Sequence, residues 1–315
     1  MTAGVTWGTA ALLAVLAVAS LLTGVIDLAP GNPGAWGVLL VSRLPRTLAV
    51  ILTGASMAVA GLVMQMLVRN RYVEPTTSGT GQGAALGILL VTLFWSDAPI
   101  LAQMAAASLC ALLATGGLLL VVRRLPPTQP LLVPMVALVY GSVIGAVVVF
   151  IGYQLDLLQY VEVWTNGEFS GVILGRYELL WASGAVAVAA YLAADRFTIA
   201  GLGREASVSL GLDYGRVVLL GLLIVSVVSA LTVATVGMIP FVGIVVPNIA
   251  SRLLGDNLRA TLPGVALLGA TLVLACDLIG RIVRHPYEIP VGTVLGVVGA
   301  VVFLLLLHGR PGRAG

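Results

Sequence analysis

The sequence predicts an all-α, polytopic membrane protein with about ten transmembrane helices. Of its 315 residues, 59% are hydrophobic and 9% are charged, and the mean hydropathy is +1.10. A soluble domain carries about 25% charged residues. Apolar runs of about 20 residues, the length that crosses a bilayer as a helix, recur along the whole chain. We therefore expect residues 1–315 to form a single transmembrane domain.

The predicted spans follow one another with short polar connections. No basic segment precedes the first, so we interpret it as a retained span and not as a cleaved signal peptide. Segment 153–175 carries acidic and aromatic residues, which favours a re-entrant or interfacial location. Pro240 and Pro247 bracket the short eighth span. The ten spans are at about 8–29, 47–67, 83–95, 100–122, 131–152, 177–195, 217–237, 240–252, 261–280 and 290–308.

The distribution of arginines predicts the orientation in the membrane. An even number of spans places both termini on one side. Lysine is absent, and eleven of the sixteen arginines fall on the side of the termini. Because basic residues concentrate in cytoplasmic segments, we expect both termini to be cytoplasmic. The five arginines on the opposite side are Arg43, Arg46, Arg176, Arg281 and Arg284.

Segment 196–216, here called the polar loop, separates the sixth and seventh spans and carries five charged residues. Each charge would cost about 2.5–3.5 kcal/mol at the centre of a transmembrane helix, so this segment lies outside the bilayer. We predict a short helix over residues 203–210 that ends at Gly211, and Asp213 as the cap of a helix beginning near Arg216. A compact polar segment of this kind suits docking to a cytoplasmic protein. An ordinary connecting loop is the alternative.

Two pairs of arginines on the opposite side are candidates for docking. Arg43 and Arg46 lie three residues apart, as do Arg281 and Arg284. Such pairs could receive carboxylates from an external protein or ligand. Local ion pairing is the alternative for Arg281, because Asp277 lies four residues before it on the same helix face.

Several function classes are disfavoured by what the sequence lacks. Without lysine the chain cannot contain a Walker A motif, so we predict no ATP hydrolysis by that route. The spans carry no row of acidic residues or histidines of the kind that ion-coupled carriers use, and Asp277 is the main exception. Cys110 and Cys276 lie in separate spans, apart from His285 and His308, so we expect neither a disulfide nor a metal site.

Ordered motifs extend from about residue 35 to residue 308. They are Arg43-Leu-Pro-Arg-Thr-Leu-Ala, Glu74-Pro75, Gly79, Gly83-Ala84, Leu202-Gly-Arg-Glu-Ala206, Leu210-Gly211, Gly237-Met-Ile-Pro-Phe-Val-Gly-Ile-Val-Val-Pro247, Asp277, Arg281 and Glu288-Ile-Pro-Val-Gly292. Together they resemble the FecCD-type permeases, the membrane subunits of ABC importers for iron–siderophore complexes, haem and cobalamin. Two motifs depart from the family pattern. The family usually has proline after the asparagine that matches Asn70, where this chain has Arg71, and it often has histidine after the proline that matches Pro247, where this chain has Asn248. Segments 73–84 and 169–178 look more like permeases for catecholate siderophores.

The resemblance implies a type II importer permease that works as a dimer, with a second copy or with a different permease. It implies two ATP-binding subunits that hold ATP and Mg and contact a coupling loop, with no cofactor on this chain. It also implies an extracytoplasmic substrate-binding protein that docks at Arg43, Arg46 and either Arg281 or Arg284. Thr128 matches the position where the family narrows its pathway at the inner face. The residues that match the coupling loop are Leu202, Gly203, Arg204, Glu205, Ala206, Leu210 and Gly211.

These expectations give a functional prediction. The chain is a permease subunit without enzymatic activity in the cytoplasmic (inner) membrane of a bacterium. It contacts membrane lipid, binds no nucleic acid, and moves an iron–siderophore complex at the expense of ATP hydrolysed elsewhere. Haem or cobalamin as the cargo, an ion-coupled secondary transporter, and a receptor-like or structural membrane protein are the alternatives.

Overall fold

The computed structural model describes residues 2–24, 35–122, 132–255 and 257–308, and all regular secondary structure in these ranges is helical. A π-helical turn, Leu39–Arg43, joins the second helix to the third, and a 3-10 turn, Pro75–Ser78, precedes the fourth. The all-α prediction is confirmed. The helices are α1 (Thr2–Leu22), α2 (Ala35–Val38), α3 (Leu44–Val68), α4 (Thr80–Phe94), α5 (Ile100–Val122), α6 (Leu132–Gln154), α7 (Leu158–Thr165), α8 (Leu179–Leu192), α9 (Ala194–Gly201), α10 (Arg204–Ser209), α11 (Tyr214–Val236), α12 (Val242–Leu254), α13 (Leu258–Val283) and α14 (Val291–His308).

The apolar helices coincide with the predicted spans. Six stretches are long and apolar enough to cross a membrane, namely Gly4–Leu22, Ala35–Val68, Ile100–Val122, Met135–Gln154, Tyr214–Val236 and Leu258–Val283. Four shorter apolar helices are Thr80–Phe94, Leu179–Leu192, Val242–Leu254 and Val291–Leu306. Each predicted span overlaps one of these ten helices, so the prediction of a polytopic fold with about ten spans is confirmed.

Two prolines that we expected to lie at the ends of spans lie within helical segments. The second span was predicted to begin after Arg46, but the helical segment runs without a break from Ala35 to Val68. Pro45 lies in the first turn of α3, directly after the π-helical turn. Its missing N–H group cannot bond to the Val41 carbonyl oxygen, which accepts from Leu174 N–H at 2.9 Å.

Pro247 was predicted to bracket the eighth span and instead lies inside α12. A proline within a helix removes the hydrogen bond to the carbonyl group four residues earlier, which here belongs to Gly243. The side chain of Gln65 on α3 replaces it, because its Nε2 donates to the Gly243 carbonyl oxygen at 3.0 Å. A neighbouring helix therefore satisfies the acceptor that Pro247 leaves open.

The centre of the bundle is α3, which packs against α8, α11, α12 and α13. Glycines on facing helices bring the backbones into contact. A Cβ atom at Gly54 would lie 2.5 Å from the Gly269 carbonyl oxygen, and one at Gly61 would lie 2.3 Å from that of Gly243. Both distances are below van der Waals contact, so larger residues would force the helices apart. Small residues of this kind allow close helix packing in membranes.

Segment 153–175, predicted to be re-entrant or interfacial, contains α7 and part of the connection from α7 to α8. Hydrogen bonds between backbone groups attach it to three other elements. Glu168 N–H donates to Val236 at the end of α11 at 2.9 Å, and Leu174 N–H donates to Val41 in the π-helical turn at 2.9 Å. The Gly167 carbonyl group accepts from the N–H group of Gly292 in α14 at 2.8 Å. The segment therefore joins the ends of several helices, and its depth in the membrane remains a prediction.

Candidate functional site

Two polar clusters lie at opposite ends of α13. This helix has 26 residues, which corresponds to about 39 Å at a rise of 1.5 Å per residue. Near its start, Arg259 forms an ion pair with Asp195, which lies in α9 next to the polar loop. Near its end, Asp277 and Arg281 form part of a second cluster with Arg43, Arg46 and Glu288, here called the arginine cluster.

The polar loop folds as the sequence predicts. The short helix α10 occupies residues 204–209 of the predicted 203–210. Gly211 has a φ angle of 78°, in the left-handed region that ends helices, and its N–H group donates to the Val208 carbonyl oxygen at 2.9 Å. Asp213 Oδ1 accepts from the N–H group of Arg216 at 3.1 Å, so the predicted cap is confirmed. The next helix begins at Tyr214.

Internal hydrogen bonds hold the polar loop in one arrangement. The buried hydroxyl group of Ser207 lies 3.0 Å from the carbonyl oxygen of Ile199 and 2.6 Å from that of Gly203, so it fastens α10 to the end of α9. Leu202 and Leu210 nevertheless expose 62% and 63% of their surface. Exposed apolar side chains in a hydrogen-bonded polar segment suit contact with another protein. The seven predicted coupling residues all lie in this segment: Leu202, Gly203, Arg204, Glu205, Ala206, Leu210 and Gly211.

A single buried carboxylate holds two of the predicted docking arginines. Asp277 Oδ1 accepts from Arg46 Nη2 at 2.8 Å, and Oδ2 accepts from Arg281 Nε at 2.9 Å. The Asp277 side chain is only 2% exposed. The local pairing of Arg281 with Asp277, which was the alternative interpretation, is therefore present. Arg46 also contacts Glu288, with 2.8 Å between Nη1 and Oε2.

The arginine cluster also closes the end of α1. Arg43 Nη1 donates to the carbonyl oxygens of Leu21 and Leu22 at 2.9 and 3.0 Å. Arg281 Nη2 donates to Ser20 Oγ at 2.7 Å. The last carbonyl groups of a helix lack partners within the helix and carry partial negative charge, so they favour a cation. Arg43 and Arg281 are accordingly buried.

Arg284, the fourth predicted docking residue, lies outside this network. Its side chain is exposed, and its guanidinium carbon lies 5.8 Å from the centroid of the Tyr287 ring. A cavity of about 250 Å³ borders Arg46 on one side, and Glu168 and Ser170 form part of its lining. A second cavity of about 180 Å³ borders Arg43, Arg46 and Arg281. The cluster is therefore bordered by a cavity at two places.

The family of the chain follows from comparison with known proteins. A model of the FecCD transport family matches residues 4–309. This chain belongs to the FecCD transport family. The petrobactin import system permease protein YclN of Bacillus subtilis (strain 168) is 43% identical over 308 residues, which cover 96% of this chain and 98% of that protein. The ferric-anguibactin transport system permease protein FatD of Vibrio anguillarum (strain ATCC 68554 / 775) is 41% identical, with 88% of each chain covered.

A solved structure has the same fold as this FecCD-family chain. It is an inward-facing conformation of a metal-chelate type ABC transporter, and the two structures superpose with a TM-score of 0.86. The match covers 97% of this chain and 99% of the other, at 23% sequence identity. The predicted recognition of the family and of its fold is therefore confirmed.

Two residues of the arginine cluster were not predicted from the sequence. Glu288 and Ser20 were not expected in the arginine cluster, although Glu288 belongs to the motif before the last span that carries the family resemblance. Thr128, the predicted gate residue, lies outside the described residues. Within residues 2–24, 35–122, 132–255 and 257–308, no group of three or more His, Cys, Asp or Glu side chains could hold a metal ion.

Proposed function

We propose that this chain is the transmembrane permease subunit of an ABC importer that carries an iron–siderophore complex across the cytoplasmic membrane. One observation carries the proposal: the family match extends over nearly the whole chain, and relatives at 41–43% identity are named for petrobactin and anguibactin import. The energy comes from ATP hydrolysis on separate subunits. This chain contributes the pathway and the surfaces through which its partners act.

The proposed partners follow from the two clusters. Two ATP-binding subunits, which hold ATP and Mg, contact the polar loop, and a second permease completes the pathway. An extracytoplasmic substrate-binding protein docks at the arginine cluster. The placement of these clusters at opposite ends of α13 supports their lying on opposite sides of the membrane, with the polar loop on the cytoplasmic side if the arginine distribution sets the orientation. Both termini are then cytoplasmic, as the arginine distribution favours.

The mechanism is alternating access driven through the polar loop. ATP-dependent closure of the ATP-binding subunits moves the loops of the two permeases together. Because α10 is fastened to α9 and the loop continues directly into α11, a displacement of the loop tilts α11. This tilt changes which side of a central cavity between the two permeases is open.

The composition of the spans suits a large polar cargo. Helices α5, α6 and α14 contain no charged residue. If helices of this kind line the pathway, they offer a bulky chelate little affinity, so that binding does not slow its release. These three helices also offer no chain of titratable groups for coupling to a proton or sodium gradient.

Uptake into proteoliposomes tests this proposal. The permease is reconstituted with the subunits that co-purify with it from native membranes, and radiolabelled ferric petrobactin is supplied with the substrate-binding protein on the opposite side from ATP. We expect uptake that requires ATP and that is unaffected when ion gradients are dissipated. The proposal would be contradicted if excess haem or cobalamin, and not excess ferric siderophore, competed with the uptake. It would also be contradicted if an ion gradient alone drove the uptake.

A further inference from the structure

Glu288 is the most accessible member of the arginine cluster. Its side chain is 35% exposed, whereas those of Arg46 and Asp277 are 13% and 2% exposed. It lies in the connection between α13 and α14. Glu288, the more exposed acidic partner of Arg46, is therefore in a loop and not in a helix.

The three nitrogens of the Arg46 guanidinium group have different surroundings. Nη2 donates to the buried Asp277 at 2.8 Å. Nη1 lies 2.9 Å from Oε1 and 2.8 Å from Oε2 of Glu288. Nε is buried and has no hydrogen-bond partner within the described part of the chain. Nη1 is therefore the nitrogen whose present partner is the more exposed acid, and a carboxylate that arrives from outside can pair with Arg46 there by taking the place of Glu288.

The two acidic partners of Arg46 differ in how easily they can be released. Removal of Asp277 would leave buried charges on Arg46 and Arg281 without compensation, which is strongly unfavourable. Release of Glu288 returns a partly exposed carboxylate to water. An exposed ion pair contributes little free energy, so its loss costs little. An incoming carboxylate would also restore the charge balance of Arg46. Exchange at Nη1 is therefore favoured, whereas exchange at Nη2 is not.

We propose that Arg46 Nη1 is a carboxylate-binding position that Glu288 occupies until an acidic side chain of the docking protein displaces it. The inference rests on the proposed function, which supplies the docking protein. In the undocked state Glu288 pairs with Arg46 Nη1 and, with Asp277, offsets the charge of Arg46. On docking, Glu288 competes with the partner, so it lowers the affinity of the complex and favours its dissociation.

Chemical modification of Arg46 tests the exchange without any docking protein. The full chain in lipid nanodiscs is treated with phenylglyoxal, which modifies accessible arginines, and the modification of Arg46 is followed by mass spectrometry. We expect Glu288→Gln and Glu288→Ala to raise the rate at Arg46 by about twofold to fivefold, the range for a partly exposed ion pair. Arg284, which is exposed in all variants, serves as the internal reference. An unchanged rate at Arg46 would overturn the proposal.

Glu168→Gln is the matched control, because Glu168 lines the same cavity as Arg46 but forms no ion pair with it. It removes one negative charge from the same end of the molecule and should leave the rate at Arg46 nearly unchanged. If Glu168→Gln raised the modification rate at Arg46 as much as Glu288→Gln does, only the overall charge would matter, and the proposal would fail.

Binding affinity provides the second test. The probe is the substrate-binding protein that co-purifies with the permease, measured against nanodiscs by biolayer interferometry. Glu288→Gln should bind it more tightly than wild type, by about twofold to fivefold, and Glu168→Gln should change the affinity less. Weaker binding of Glu288→Gln would show that Glu288 is itself a docking contact and would overturn the exchange. If wild-type permease in nanodiscs shows no binding of a substrate-binding protein, the proposed docking fails. The phenylglyoxal rates then still decide whether Glu288 covers Arg46.

Discussion

Asp277 determines whether two buried arginines can be accommodated in the helix bundle. It accepts hydrogen bonds from both Arg46 and Arg281, and its side chain is almost completely buried. Breaking a buried ion pair from one side costs about 3–5 kcal/mol, because the remaining charge is neither solvated nor paired. Asp277→Asn should therefore lower the melting temperature of the detergent-solubilised protein substantially.

Asp213→Asn is the control for this prediction. Asp213 pairs with Arg216 at 2.9 Å, but both side chains are largely exposed. Asparagine also caps helices well, so this change should alter stability by less than about 0.5 kcal/mol. Equal losses of melting temperature in the two variants would mean that burial of the Asp277 pair has no special importance.

At the scale of the helices, Gln65 compensates for the proline within α12. Gln65→Met keeps the volume of the side chain but leaves the buried Gly243 carbonyl oxygen without its donor, at a cost of about 1–3 kcal/mol. Adding Pro247→Ala supplies a backbone N–H group at the position that normally bonds to this carbonyl oxygen. The double variant should therefore recover most of the melting temperature that Gln65→Met loses. If the double variant melts no higher than Gln65→Met, the compensation is refuted.

The polar loop is the second element that can be tested by itself. Val208 on α10 is 58% exposed and belongs to the same polar loop as the exposed Leu202 and Leu210. Val208→Asp should weaken the binding of the ATP-binding subunit by about tenfold or more, because it would place an unpaired charge in an apolar contact. Val163→Asp is the control, since Val163 is 65% exposed on another short helix, α7. Equal retention of the subunit by both variants on an affinity column would argue against the polar loop as its contact.

The features that could be predicted from the sequence are the local ones. The ending of α10 at Gly211 and the capping of α11 by Asp213 each depend on residues within about one helical turn. The ion pair between Asp277 and Arg281 is predictable for the same reason. The pairing of Arg46 with Asp277 joins residues 231 positions apart, and only the folded bundle brings them together. Pro247 was misplaced because the Gly243 carbonyl oxygen that it leaves open accepts instead from Gln65, which is 178 residues from Gly243 in the sequence.

At the scale of the whole molecule, the two clusters must face opposite sides of the membrane. A variant without Cys110 and Cys276 can carry one cysteine, either Ser209→Cys in the polar loop or Ser170→Cys beside the arginine cluster. Both serines are exposed. A membrane-impermeant maleimide added to intact spheroplasts should label the cysteine at position 170, and that at position 209 only after permeabilisation. The reverse pattern would place the polar loop outside the cell and invert the proposed arrangement of partners.

The central claim is that ATP-binding subunits drive transport by acting on the polar loop of this chain. The most direct test compares wild type with a variant in which residues 203–211 are replaced by a glycine–serine linker of equal length. Uptake of ferric siderophore into proteoliposomes that contain the ATP-binding subunits is measured with and without ATP. We predict ATP-dependent uptake by wild type and its loss in the linker variant, with binding of the substrate-binding protein retained. ATP-dependent uptake at the wild-type rate by the linker variant would contradict the account.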